Sequence, residues 1–386
     1  MVDLKPTVMK ANIYIISIGI FLLSSCRSAE KLYNKGNYDE AVELAAKKLA
    51  KKPGDPELIQ IVQDAYRYAV SDHESRIRNY MNSNSHLRFE QVLSQYNSLQ
   101  RLYEAIRKSP TAWEIVQPAD YTSYIQTYRD EAAMMRETRG DEMMMENNKQ
   151  SFRNAYYEYQ KALSLKTGDQ VLRSKMEDAL WNATTRVSIQ PLSRFGTQYN
   201  QYGYDYTQFN NDLLRYVNNN RRGQFLDFYG MHQPGAQADF AVELRFTVVN
   251  IGRYRDQRQT REVSKQIVVK EIVHSKDSVT REYATVKARI TTTTRTVQAN
   301  GILQTTARET GSNRRVWGDT YRSEYNWVVS FSTYTGDERA LSDADKKLLQ
   351  NREKFPPGED EILSILLQEL RAKSECGISD YFNRYG

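Results

Sequence analysis

Cysteine, histidine and proline are all scarce: two, four and nine in 386 residues. Two cysteines, Cys26 and Cys376, cannot make a disulfide framework or a paired-cysteine metal site. His73, His86, His232 and His274 stand in unrelated contexts, so a zinc site would need ligands gathered from distant segments; they read as structural or surface histidines. There is no glycine-rich phosphate loop, no HisGluXXHis and no GlyXSerXGly. Cys376 has no base beside it. The acids Asp141 and Glu142, and Glu359 to Glu361, are better explained by local helix electrostatics than by a glycan-cleaving pair, the latter group opening a helix where acids complement its positive end. These absences predict a protein with no catalytic residues, no metal and no cofactor. Long apolar runs are missing too, since the one at Ile13 to Leu23 is too short to span a bilayer.

That short run has another meaning. Lys5 and Lys10 precede it and Leu22, Leu23, Ser24, Ser25, Cys26 close it, the order of charge, apolar core and small-residue exit that marks an export signal, with Met9 as a second candidate start. The closing residues resemble the lipobox of bacterial lipoproteins, which implies cleavage after residue 25 and a lipid on Cys26 that ties the chain to a membrane. Arg27 is not the Asp that resembles an inner-membrane retention signal, and Glu30 stands between Arg27 and Lys31 rather than in an acidic export cluster. The expected address is therefore the outer membrane, facing the periplasm. Without residues 1–25 the chain keeps 52 bases against 47 acids. In the envelope, such an excess points to anionic wall polymer, lipid headgroups or acidic proteins, and not to nucleic acid.

From Ala29 to about Pro191, Ala, Leu, Tyr and Met recur three and four residues apart, which predicts a helical array over 26–182. Ala29, Leu32, Tyr33, Gly36, Tyr38, Ala41, Leu49 and Pro53 resemble one tetratricopeptide repeat, departing from it at Lys48. Phe152, Ala155, Ala162 and Leu163 resemble the second helix of another. Between them, 55–82 and 86–109 read as long helices without repeat consensus. Met134, Met135 and Met143 to Met145 could form an adaptable surface, but their helical spacing favours core positions.

An α+β domain is expected over 183–386. Val187 and Ile189 predict a strand, Phe209, Leu213, Leu214 and Val217 one helix face, and 224–229 a second strand. From 238 to 335 the period becomes two, with antiparallel strands expected at 240–248, 263–274, 283–297, 302–309 and 325–331 and a turn at 310–313. Ile362, Leu363, Leu366, Leu367 and Leu370 predict a last helix packed back on the sheet. The order of elements, with AlaAspPhe at 238–240 and the late strand, ThrGly turn and strand ending at Trp317, is similar to the α+β domain of curli-secretion-type lipoproteins and of lipoproteins that activate penicillin-binding proteins. The Arg-rich stretch from Gly252 to Val297 departs from that pattern.

Residues 237–335 hold sixteen bases against ten acids. Arg253, Arg255, Arg258 and Arg261, with Arg314 and Arg315 beside the glycine turn, form a candidate partner-binding patch suited to carboxylates or phosphates; a solvated strand face is the other reading. Tyrosine dominates the aromatics, and Tyr156, Tyr157 and Tyr159, with Tyr199, Tyr202, Tyr204 and Tyr206 in the linker, suit a wet interface. The function these features support is a lipid-anchored, non-enzymatic scaffold or accessory subunit of an envelope assembly for secretion or outer-membrane biogenesis. A peptidoglycan-associated lipoprotein that binds or activates a wall synthase is the alternative.

Overall fold

The computed structural model describes residues 28–192, 206–230, 237–275 and 278–386. Cys26, the export segment, Tyr199, Tyr202, Tyr204 and His232 lie outside the described residues. The fold class is α+β, in two compact units that part between Ala183 and Thr184.

The first unit is helical: α1 (Ala29–Tyr33), α2 (Tyr38–Leu49), α3 (Pro56–Met81), α4 (Arg88–Arg107), α5 (Pro110–Val116), α6 (Thr122–Met145), α7 (Lys149–Leu165) and α8 (Gln170–Ala183). Polar caps set several starts, because the first backbone N–H groups of a helix lack partners. Asp55 accepts from Leu58 N at 3.3 Å with Pro56 in the first turn, and Asn148 accepts from Ser151 N at 2.9 Å. Ala41, Ala45, Ala46 and Leu49 of α2 bury against Ile61, Val62 and Ala65 of α3 and Leu102 and Ile106 of α4.

The methionines depart from expectation. Met134 and Met145 are 60% and 82% exposed, and Met135, Met143 and Met144 are only half-buried. The buried sector of α6 is instead Ile125, Ala132, Ala133 and Gly140, mostly small residues that leave no room for a thioether chain.

In the second unit, β1 (Thr185–Ile189) pairs in parallel with β2 (Leu226–Gly230) and β3 (Phe240–Ile251), and α9 (Tyr206–Asn219) lies between β1 and β2 in the chain. The rest is antiparallel: β4 (Arg255–Ser275), β5 (Ser278–Glu309) and β6 (Arg315–Gly336). One edge of β5 is shared end to end by β3 and β4, and β6 takes the other edge. The two strands expected at 283–297 and 302–309 are thus one. Gly301 between them makes no turn; it admits α11 (Glu359–Phe382), where a Cβ would lie 3.0 Å from Leu370 Cδ1.

Val242, Leu244, Phe246, Leu303 and Ala307 face Phe209, Leu213 and Val217 of α9 and Leu363, Leu367, Leu370, Ile378 and Phe382 of α11 in one core. A smaller cluster joins Ala288 and Ile290 of β5 to Ala340 and Leu341, just before α10 (Asp343–Gln350).

Candidate functional site

The tyrosine group does not form a surface. Tyr156 and Tyr159 are 7% and 2% exposed and pack in the helical core, and Tyr159 donates its hydroxyl proton to Asp141 Oδ1 at 2.7 Å. Lys175 reaches the same carboxylate at 2.8 Å, which leaves Tyr157 as the exposed member of the three. The i to i+3 spacing that suggests an aromatic face is here the inward face of α7.

The arginines are divided as well. Arg253 lies in the connection between β3 and β4, and Arg255, Arg258 and Arg261 stand on β4, all four exposed. The β5 partners of Arg255, Arg258 and Arg261 are Thr296, Thr293 and Ile290, so strand alternation puts Arg258 on the opposite face from Arg255 and Arg261. Arg261 is engaged by Asp345 of α10, and Arg314 meets Glu309 at 3.6 Å. Arg315 stands opposite Arg308, about 40 Å along β5 from Thr296 at ~3.3 Å per residue. No single patch gathers the six.

Two other features are presented to solvent. In the helical unit, a cavity of about 580 Å³ lies between α2 and α4, floored by Ala46, Ala50 and Ala105 and bordered by Lys47, Lys51, Arg101 and Lys108 with Glu43 and Glu104. Among the described residues Lys47, Lys51 and Lys108 have no ion-pair partner, so the rim is open to an acidic segment.

The second feature is an arm. β6 ends opposite Ala288, yet β4 and β5 run on together from the Ser264 and Lys287 pair to Ser275 and Ser278, about 35 Å at ~3.3 Å per residue. A two-stranded ribbon is marginal in water without a third strand or a helix against it. Here Val268, opposite Tyr283, and Val273, opposite Val279, are 44%, 61%, 68% and 43% exposed on one face. The other face carries Ile267, Ile272, Ala284 and Val286, half-buried. A β-bulge between Val268 and Lys270 adds Val269 to the exposed set. Glu271 and Arg281 pair across the ribbon at 3.0 Å.

In the three-stranded part of the sheet, where β5 lies between β4 and β6, Arg295 is buried, its side chain 5% exposed. Its Nε and Nη2 bond Asp256 at 2.7 and 2.9 Å, Nη2 also bonds Glu353 at 2.8 Å, and Nη1 donates to the Lys354 carbonyl at 3.2 Å. The guanidinium lies over the rings of Phe355, Tyr254 and Phe331 at 4.6, 4.7 and 5.5 Å. Its hydrogen bond to Asp256 holds that carboxyl below the usual carboxylate range. In the sequence Arg295 is one base in a threonine run, and its three aromatic neighbours come from separate segments, so only the folded chain reveals the clasp. Among the described residues no group of three or more His, Cys, Asp or Glu is placed to hold a metal, and no helix is long and apolar enough to cross a membrane.

No family model and no curated protein matches the sequence. Solved structures give slight likenesses. A neuraminyllactose-binding hemagglutinin homolog from Helicobacter pylori aligns over 53% of this chain and 92% of its own, with TM-score 0.26 and 8% identity. A hypothetical protein from Chlamydia trachomatis aligns over 50% and 96%, with TM-score 0.19 and 10% identity. Likenesses of that size carry no argument about fold or function.

Proposed function

We propose that this chain is a non-enzymatic scaffold or accessory subunit of a cell-envelope assembly for secretion or outer-membrane biogenesis, held to the outer membrane by a lipid on Cys26 and facing the periplasm. The observation that carries the reading is the β4–β5 arm. It has valines and a tyrosine exposed on a ribbon that two strands alone barely stabilise, the condition a partner's strand or apolar surface corrects by adding backbone hydrogen bonds and burying side chains. The basic-rimmed groove of the helical unit offers a second contact, suited to an acidic protein segment. Lipidation at Cys26 would keep both near the membrane.

The test is purification of the native, C-terminally tagged lipoprotein from membranes in mild detergent, beside Cys26→Ala and a Val268→Ser, Val273→Ser arm variant. The expected result is membrane or secretion proteins recovered in fixed proportion with the native chain. They should be lost from both variants while each keeps its circular dichroism. Recovery of wall synthases alone, or partners indifferent to the arm, would overturn the proposal.

A further inference from the structure

The sheet face opposite α9 and α11 carries a small basin where β3, β5 and β6 lie side by side. Its lining is Glu243 and Arg245 of β3, Gln304, Thr306 and Arg308 of β5, and Arg315 of β6, around about 230 Å³. Register explains the gathering, because Glu243 stands opposite Thr306, Arg245 opposite Gln304 and Arg308 opposite Arg315, all on the face turned away from the Val242 and Leu303 core. Gly318 stands opposite Thr306 on β6 and supplies no side chain; Arg315 folds across it, so that a Cβ there would lie 2.9 Å from Arg315 Nε.

Three guanidiniums therefore meet in one depression. Among the described residues none of them has a carboxylate partner, and Arg308 spends one donor on the Asn313 carbonyl at 3.1 Å. Like charges directly opposite on neighbouring strands are unfavourable. An anion relieves that repulsion, and forked guanidiniums match the paired oxygens of a carboxylate or phosphate. Glu243 shapes the choice further, since its carboxylate repels a compact polyanion and accepts a hydrogen bond from a hydroxyl. The volume falls below the roughly 300–1,000 Å³ that encloses a drug-sized ligand, and suits one acidic group with the start of its carrier.

We infer that this basin binds a single carboxylate or phosphate borne on a hydroxylated carrier, with Arg245, Arg308 and Arg315 on the acid group and Glu243 on a hydroxyl. A sugar acid and a glycerol-bearing phospholipid headgroup share that chemistry. The inference stands apart from the scaffold reading, which rests on the arm.

Calorimetric titration of the full chain with glucuronate, glucose 6-phosphate and inorganic phosphate tests it. The variants are Arg245→Gln, Arg308→Gln and Glu243→Gln, with Arg314→Gln as control because that side chain pairs with Glu309 outside the basin. These positions sit at the sheet surface, so circular dichroism should be unchanged in all four. The expected result is saturable, salt-sensitive binding of glucuronate and glucose 6-phosphate in preference to inorganic phosphate, weakened about tenfold by either arginine change and untouched by Arg314→Gln. Glu243→Gln should erase the preference by strengthening inorganic phosphate. Vesicles of phosphatidylglycerol that displace glucose 6-phosphate, where phosphatidylcholine does not, identify a lipid headgroup as the source; no displacement identifies a soluble or wall-borne sugar acid. Absence of saturable binding, or binding indifferent to Arg245 and Arg308, overturns the inference.

Discussion

The ring of Tyr159 on α7 lies against the backbone of Gly140 on α6, so near that a Cβ on the glycine would sit 2.5 Å from Tyr159 Cε1. The ring cannot swing away, being 2% exposed and tied through its hydroxyl to Asp141. Replacing a helical glycine with alanine ordinarily gains about 0.5–1 kcal/mol. At this site overpacking costs roughly 1–3 kcal/mol, and the clash wins. Gly140→Ala should destabilise the helical unit by about 1–2 kcal/mol in urea unfolding. Adding Tyr159→Leu should remove most of the extra cost of the alanine, whereas a deficit equal in both backgrounds would show that the ring is not its cause.

A buried histidine gives the helical unit a pH dependence. His73 of α3 is 4% exposed, with Nε2 3.1 Å from both carboxylate oxygens of Asp39 and Nδ1 2.8 Å from Gln95 Oε1. In the imidazolium form both ring nitrogens donate, Nε2 to Asp39 and Nδ1 to Gln95, so both contacts favour the charged ring. Burial lowers its pKa and Arg76 does so slightly, but the hydrogen bonds to Asp39 and Gln95 and the Asp39 charge outweigh them, and the net shift is upward. A folded pKa above the unfolded value of about 6.5 gives stability that is fully present below that value and lost as pH rises through the folded pKa. The midpoint of urea unfolding followed by helical circular dichroism should therefore fall from about pH 6 upward, and Asp39→Asn should flatten that fall. An Asp39→Asn protein as pH-sensitive as the native one would refute the pairing.

Arg295 should act as the clasp of the chain between α10 and α11. With Arg295→Leu, Asp256 and Glu353 lose their shared cation and Phe355 loses the guanidinium beneath it. Residues 351–358, already exposed along most of their length, should then lose their tether to the sheet, read as faster tryptic cleavage after Arg352 and Lys354 in the native-fold protein. Arg295→Lys should rescue this poorly, because an ammonium cannot fork two oxygens and stack on rings at once. Cleavage at the native rate in the leucine variant would mean that backbone contacts hold the segment alone.

Local patterns expressed a good part of this architecture. Apolar residues three and four apart marked α3, α4 and α11, and alternation marked β3, since each pattern records which sector of one element leaves water. The candidate site was far less legible. Tyr156 and Tyr159 look like interface residues by type, yet whether a tyrosine is core or surface depends on which neighbouring helix covers it. The methionines of α6 misled in the other direction, because a helical period places a residue on a sector without stating which sector a neighbour occupies.

By itself, the sequence determined the broad succession, helices and then strands with a returning helix, because periodicity, caps and turns act over a few residues, while the union of 283–297 with 302–309 and the parallel pairs of β1 came only with the fold. It also determined how many bases the sheet carries. Only the tertiary structure decided which of those bases meet. Strand register brought Arg245, Arg308 and Arg315 into one basin, put Arg255 and Arg258 on opposite faces and buried Arg295 among rings from three segments. Register and helix packing are set by contacts between residues far apart in the chain, and a one-residue shift in pairing would have turned each of those side chains to the other face.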